Sequence, residues 1–277
     1  MSISRSFFEN IEMHLDHLVI CGGGHVSIPM ITIGKILGFY VSVLEDRPLF
    51  ANHARRAGAD KVICDTFYEA LQQVEGSADT YFVVVTRGHR YDTECLRSIL
   101  KKENAYIGMM GSKVRAKEVK KVLVAEGFLE EVIEKIYSPI GFNIGGETPE
   151  EIAVSIAAQL IQVRSKNDHA VYTKEILEAA LDKSVTERSM ATIIERKGSA
   201  PRKVGTKMII FEDGRTAGTI GGGCMEAEVM QKAIMLMREN MREEETIKFN
   251  MLPEQAEEEG MVCGGIIEVK IEKIERQ

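Results

Sequence analysis

Apolar positions in the first 165 residues gather into short runs separated by stretches of helical periodicity. His17-Leu18-Val19-Ile20-Cys21 is one such run, and it stops at Gly22-Gly23-Gly24. Residues 26–37 then carry apolar side chains at helical spacing, and Tyr40-Val41-Ser42-Val43-Leu44 reads as a second strand. Strand, glycine turn, helix and strand within about 30 residues is the size of one βαβ unit. The pattern repeats, with further strands predicted at 61–64, 81–86 and 105–109 and a helical stretch between each pair. Continuous apolar strands alternating with amphipathic helices predict a parallel sheet covered on both faces, a Rossmann-type arrangement. The last helix of this half has a defined start: Thr148 at the N-cap, Pro149 at the first helical position and Glu151 where a capping box needs it. Ile152, Ile156, Leu160 and Val163 mark its apolar face.

The second half has a different rhythm. Residues 173–183 read as an amphipathic helix, followed by strands at 191–195, 207–211 and 216–220 with a tight turn at Glu212-Asp213-Gly214. A helix over 225–237 and closing strands at 246–251 and 266–271 complete a small α+β module. The predicted fold is therefore α/β: a Rossmann-type parallel-sheet domain over 1–168, then a smaller α+β domain over 169–277. The boundary is placed in the polar stretch 164–168.

Length and charge narrow the function classes. The 277 residues suit two ordinary domains, and 44% hydrophobic with 28% charged residues is the balance of a chain that buries a core. The formal net charge is −7 and the basic residues are interleaved with acidic ones, so no nucleic-acid partner is expected. Residues 1–16 contain Glu9, Glu12 and Asp16 and lack the apolar run of a signal peptide. The most apolar stretch, 18–44, is interrupted by the glycine turn, His25, Pro29 and Lys35, which argues against a membrane span. Five widely spaced cysteines do not make a disulfide framework, so reduced thiols and a cytoplasmic location are expected.

Gly22-Gly23-Gly24-His25-Val26-Ser27 matches the dinucleotide fingerprint, with Ser27 where the third glycine usually stands. Gly22 permits the turn, Gly24 lets a pyrophosphate approach the backbone, and a small residue at 27 keeps helix and strand close. Gly22, Gly24, His25 and Ser27 are thus candidate ligand contacts. The carboxylates Glu45-Asp46 fall at the end of the second strand, about 20 residues on, where a ribose-binding acid belongs; Arg47, directly after Asp46, would instead favour a 2′-phosphate. The alternative is a loop that is only a tight turn. His89, in Thr86-Arg87-Gly88-His89 after the fourth strand, is a candidate ligand contact or acid/base group, or else solvated. Ser112 opens the helix after the fifth strand, either at a second anion site or as an ordinary cap.

Two glycine-flanked cysteines stand out in the second half. Gly221-Gly222-Gly223-Cys224 leads straight into a helix, whose amide groups favour a thiolate while Glu226 and Glu228 oppose it. Cys263 lies in Val262-Cys263-Gly264-Gly265. Gly222, Gly223 and the glycines after Cys263 leave room for a bulky group; the bland alternative is two small buried hydrophobes. There is no C-x-x-C, and the only histidine of this half is His169, so a zinc site is not indicated. Arg202, in Gly198-Ser199-Ala200-Pro201-Arg202, suits an anionic ligand or plain solvation.

Taken together these motifs resemble the XdhC/CoxI-type accessory factors of xanthine dehydrogenase and related molybdenum hydroxylases. The resemblance covers nearly the whole chain. It rests on Cys21-Gly22-Gly23-Gly24-His25-Val26, Glu45-Asp46-Arg47-Pro48, Tyr106-Ile107-Gly108-Met109-Met110-Gly111-Ser112, and the segment from Ser138-Pro139-Ile140-Gly141 to Gly146-Glu147-Thr148-Pro149-Glu150-Glu151-Ile152-Ala153. In the second half it rests on Gly198-Ser199-Ala200-Pro201-Arg202, Gly221-Gly222-Gly223-Cys224-Met225-Glu226 and Cys263-Gly264-Gly265. It implies a maturation chaperone, more than an enzyme, that binds molybdenum cofactor (molybdopterin), protects it during sulfuration and hands it to an apo molybdenum hydroxylase of the xanthine dehydrogenase type. A cysteine desulfurase as sulfur donor and a homodimer are further expectations. The family's cysteine motifs fall on Cys224 and Cys263, as thiolate ligands to molybdenum or as sulfur carriers. NAD(P) or another nucleotide is the expected ligand of the glycine loop.

Two features depart from the family pattern: the cysteine module usually precedes the Rossmann domain, and Ser27 replaces a glycine. The competing readings are a thiol-redox or persulfide carrier with a nucleotide-sensing Rossmann half, and a nicotinamide-dependent oxidoreductase. The latter is disfavoured because the chain has no Tyr-x-x-x-Lys pair of the kind short-chain dehydrogenases use.

Overall fold

The computed structural model describes residues 2–8, 15–166, 172–184, 187–198, 202–238, 242–251 and 265–275. They form two compact units, Asp16–Asn167 and Met1–Leu15 together with Asp168–Gln277. The first unit alternates strands β1 (His17–Cys21), β2 (Tyr40–Leu44), β3 (Lys61–Ile63), β4 (Thr80–Val84) and β5 (Tyr106–Met109) with helices. Those helices are α1 (Ser27–Ile36), α2 (Pro48–Arg56), α3 (Phe67–Gln72), α4 (His89–Ile99), α5 (Lys113–Ala125), α6 (Glu130–Glu134) and α7 (Pro149–Arg164). All strand pairs are parallel, in the order β3-β2-β1-β4-β5.

Alternation along each strand explains why both faces must be covered. Val19, Cys21, Leu44, Phe82 and Val84 pack against α3, α4 and α5 through Phe67, Leu71, Leu96 and Val119. Their neighbours Leu18, Ile20, Val43, Tyr81 and Val83 pack against α1 and α7 through Met30, Ile31, Ile156 and Leu160. Every residue of β4 is buried, as a central strand between two helical layers requires. The predicted start of α7 is present in full: the Thr148 side chain accepts from the Glu151 amide, the Glu151 carboxylate accepts from the Thr148 amide, and Pro149 opens the helix.

The second unit holds α8 (Lys174–Leu181), β6 (Arg188–Gly198), β7 (Lys207–Phe211), β8 (Thr216–Gly218), α9 (Gly223–Arg238), β9 (Glu244–Met251) and β10 (Gly265–Lys273). The strands form an antiparallel sheet in the order β8-β7-β6-β10-β9. Ala191, Ile193, Met208, Ile210, Ile267, Val269 and Ile271 line the face that receives Val229, Ala233 and Leu236 of α9.

The N-terminal segment departs from the expected domain range of 1–168. Ile3 forms a parallel bridge with Ile274, and the Phe8 and Tyr172 rings meet edge-on at 6.1 Å, so the chain start joins the second unit. Strand β6 is also longer than predicted. Its first residue, Arg188, is buried yet satisfied, because its guanidinium donates to the Ala179 and Ala180 carbonyls at the end of α8.

Candidate functional site

In the order β3-β2-β1-β4-β5 the chain reverses direction of travel between β1 and β4, and ligands of open α/β sheets bind outside the carboxyl ends of the strands at that point. A cavity of about 280 Å³ lies there. The loop after β1 supplies Gly22, Gly24, His25 and Val26; the loop after β2 supplies Glu45, Arg47 and Phe50. Val85, Thr86 and Arg87 follow β4, Met110 follows β5, and Phe67 opens α3.

The glycine loop is held in place by its own chain. Gly22 donates to the Leu44 carbonyl at 2.8 Å, and its φ of 114° lies where only glycine is comfortable. A Cβ on Gly22 would sit 2.6 Å from the Val85 carbonyl oxygen. Over Gly24, by contrast, nothing lies within 4 Å of an added Cβ, so a ligand can reach the backbone there. Helix α1 has no side-chain cap, unlike α3, α5, α7 and α8; its Ser27 amide donates to the Gly24 carbonyl at 3.0 Å and Pro29 has no amide, which leaves the Ile28 amide of the first three positions for an anion in the cavity. Ser27 is fully buried, and its hydroxyl donates to the Gly22 carbonyl at 2.5 Å. The residue that breaks the glycine fingerprint thus pins the turn that the fingerprint makes.

The carboxylates after β2 divide their tasks. Glu45 is buried and lines the cavity: Oε2 accepts from the Gly23 amide at 2.6 Å, and Oε1 accepts from the Arg47 amide at 3.1 Å and from Arg47 Nε at 2.7 Å. Asp46 turns aside and accepts two hydrogen bonds from Arg87, at 2.5 and 2.7 Å. The Arg87 guanidinium holds the Asp46 carboxyl down at about 2, and Asp46 in turn raises the pKa of Arg87. Arg47 lies over the Phe50 ring at 3.7 Å and Arg87 over the Tyr91 ring at 4.2 Å. Behind them, Thr86 donates to the buried Asp92 at 2.5 Å, and Arg115 also pairs with Asp92.

Of the residues singled out from sequence, Gly22, Gly24, His25 and Arg47 line this cavity and Ser27 supports it from within. Asp46 reaches it through two lining residues, Arg87 and, at 3.8 Å, Arg47. His89 is the first residue of α4, and its side chain lies outside what the structure describes. Ser112 is committed as the cap of α5, accepting from the Arg115 amide at 3.2 Å. The sequence offers Glu45 and Asp46 alike, and it is Glu45 that lines the cavity. Arg87, which the sequence gives no role, lines it as well, and the signal for both is that Glu45 and Thr86-Arg87 follow the ends of β2 and β4 closely.

In the second unit Gly221, Gly222 and Gly223 all have positive φ, at 140°, 79° and 70°, a run of backbone that side chains rarely adopt. Glu226 folds back over this loop: its Oε2 accepts from the Thr219 hydroxyl at 2.6 Å and from the Ile220 and Gly222 amides at 3.2 and 3.0 Å. The loop carries Cys224 into the first turn of α9, where the residue is exposed. Arg202 is exposed on the segment leading to β7. Cys263, Gly264 and Ser199 to Pro201 lie outside the described residues. Among the described residues no three of His, Cys, Asp and Glu converge into a metal cage, and no helix is long and apolar enough to cross a membrane.

Comparison with known proteins links both units to one family. Residues 18–160, more than half the chain, match the XdhC Rossmann domain, and residues 185–249 match the XdhC and CoxI family. Over 163 residues the chain is 29% identical to a probable xanthine dehydrogenase subunit from Bacillus subtilis, covering 59% of this chain and 47% of that one. Over 71 residues it is 34% identical to the molybdenum cofactor insertion chaperone PaoD of Escherichia coli, covering 26% and 22%. A Bacillus halodurans structure described as a xanthine dehydrogenase is 34% identical over 55% of this chain and 44% of that chain, with a TM-score of 0.49. The chain spans less than half the length of the curated relatives it matches.

Proposed function

Because the chain belongs to the XdhC family, we propose that it is an accessory factor that binds molybdenum cofactor and delivers it to an apo molybdenum hydroxylase of the xanthine dehydrogenase type. The observation that carries this reading is the matching of both units to one family, with a relative named as a cofactor insertion chaperone. Support also comes from the chemistry present. Cys224 is an exposed thiol on a glycine loop, and a thiolate is a soft ligand for a metal centre or a carrier of sulfur. Bound, the cofactor supplies the metal and its sulfur-accepting position. Cys224 would hold it as a thiolate ligand, and Glu226 keeps the loop in shape by satisfying its amides.

The first unit has a separate task. Its uncapped helix, open space over Gly24 and two arginines suit an anionic nucleotide.

Anaerobic retention of molybdenum cofactor by the purified protein tests the reading, with Cys224→Ala beside the wild type. Wild type should retain cofactor and the variant should lose most of it. Equal retention removes Cys224 from the mechanism; no retention by wild type ends the chaperone reading.

A further inference from the structure

The polar groups at the β2 edge of the cavity say more about its ligand. This inference rests on the cavity being a ligand site, as proposed above, and not on the molybdenum chemistry. A dinucleotide with a free ribose diol needs a carboxylate at the end of β2 with acceptor capacity to spare. Here Glu45, with its side chain 1% exposed, is committed to the Gly23 amide and to Arg47. Asp46 has both oxygens on the Arg87 guanidinium. What faces outward at this edge is cationic: Arg47 and Arg87, with side chains 34% and 35% exposed. Each is laid on an aromatic ring that fixes its plane, and Arg87 also donates to the Tyr91 hydroxyl at 2.8 Å. A guanidinium has five donors, so each arginine has capacity left after these bonds.

We propose that Arg47 and Arg87 read a phosphate monoester on the ribose of a nucleotide, so that the cavity takes an NADP-type dinucleotide in preference to one with a free diol. Asp46 is then an internal stand-in for that phosphate, occupying Arg87 when no ligand is bound. Because Asp46 stays ionised throughout the neutral range, it competes as a full charge and gives way only to a stronger anion. A diol has no charge to displace it, and a phosphate dianion has two.

Calorimetric titration of the full chain with NADP⁺ and NAD⁺, and with 2′-AMP and adenosine as fragments, tests this. The phosphorylated member of each pair should bind at least roughly tenfold tighter, the yield of one charge-assisted hydrogen bond. Arg87→Gln should collapse the ratio toward one. Asp46→Asn should tighten NADP⁺ and leave NAD⁺ within about twofold, since it removes only the competitor. A melting curve on each variant checks that it folds. Equal or tighter binding of NAD⁺, an unchanged ratio in Arg87→Gln, or no binding of any of the four compounds overturns the inference. Cofactor retention measured on the same preparations separates the two readings: retention without nucleotide discrimination defeats this inference alone, and discrimination without retention defeats only the chaperone.

Discussion

Gly22 and Gly24 sit two residues apart in one loop, and the structure assigns them opposite sensitivities to the same added methyl group. Gly22→Ala forces a φ of 114° on a residue with a side chain, a cost of about 1–3 kcal/mol. It also drives the methyl to 2.6 Å from the Val85 carbonyl, a backbone atom at the end of the central strand β4 that cannot swing away. Overpacking of that kind adds about 1–3 kcal/mol, for a total of roughly 2–6 kcal/mol. For a unit of this size each kcal/mol moves the melting temperature by about 2–4 °C, so the Asp16–Asn167 unit should melt at least roughly 5 °C lower. Gly24→Ala meets nothing within 4 Å and has no positive φ to relieve, so its stability should stay within about 1 kcal/mol of wild type. Its methyl instead fills the space through which a phosphate approaches, and nucleotide binding should fall below detection. Differential scanning calorimetry and titration on both variants decide the matter. A Gly22→Ala protein melting within about 1 °C of wild type would refute the steric reasoning. A Gly24→Ala protein binding nucleotide normally would refute the placement of the phosphate.

Two further outcomes follow from buried and paired groups. Ser27→Ala removes the buried hydroxyl that donates to the Gly22 carbonyl, and should cost about 1–2 kcal/mol, read as a lower melting temperature; an unchanged one shows that the turn holds itself. Asp46 titrates lower when folded, near 2, than its ordinary value of 3.8, so its contribution is complete above about pH 4 and disappears as pH falls toward 2. With Arg87 a third exposed, solvent reduces that contribution to about 1 kcal/mol, and Asp46→Asn should flatten the stability curve over this window while leaving its slope elsewhere alone. An identical acid limb in the variant would show the pair to be idle.

Most of the first unit was legible because its signals are local. Apolar runs of strand length, a glycine turn at fixed distance from a carboxylate, and the Thr148-Pro149-Glu151 capping box each lie within a few residues of one another. What escaped depends on direction and distance. Consecutive side chains leave an extended backbone on opposite sides, so Glu45 and Asp46 are equivalent on paper, and only the packed sheet shows that Glu45 enters the cavity. Arg87 gained its place from Asp46, 41 residues away, a pairing with no trace in local pattern. The true start of β6 was hidden because a buried arginine reads as surface until its carbonyl partners at the end of α8 are known. The bridge from Ile3 to Ile274 joins opposite ends of the chain and has no sequence signal at all.

That bridge bears on the order of the two modules. The second unit is assembled from both ends of the chain, with the Rossmann unit running from Asp16 to Asn167 between them, and Asp16 and Arg164 lie 3.6 Å apart as an ion pair. The Rossmann unit is thus an excursion whose exit returns to its entrance. Tying the chain's two ends together beside Ile3 and Ile274, and cutting instead after Asn167, would give a chain that reads cysteine module first and Rossmann second. No strand of either sheet would be broken. One circular permutation would therefore exchange the order of the two modules while keeping every strand pairing described above.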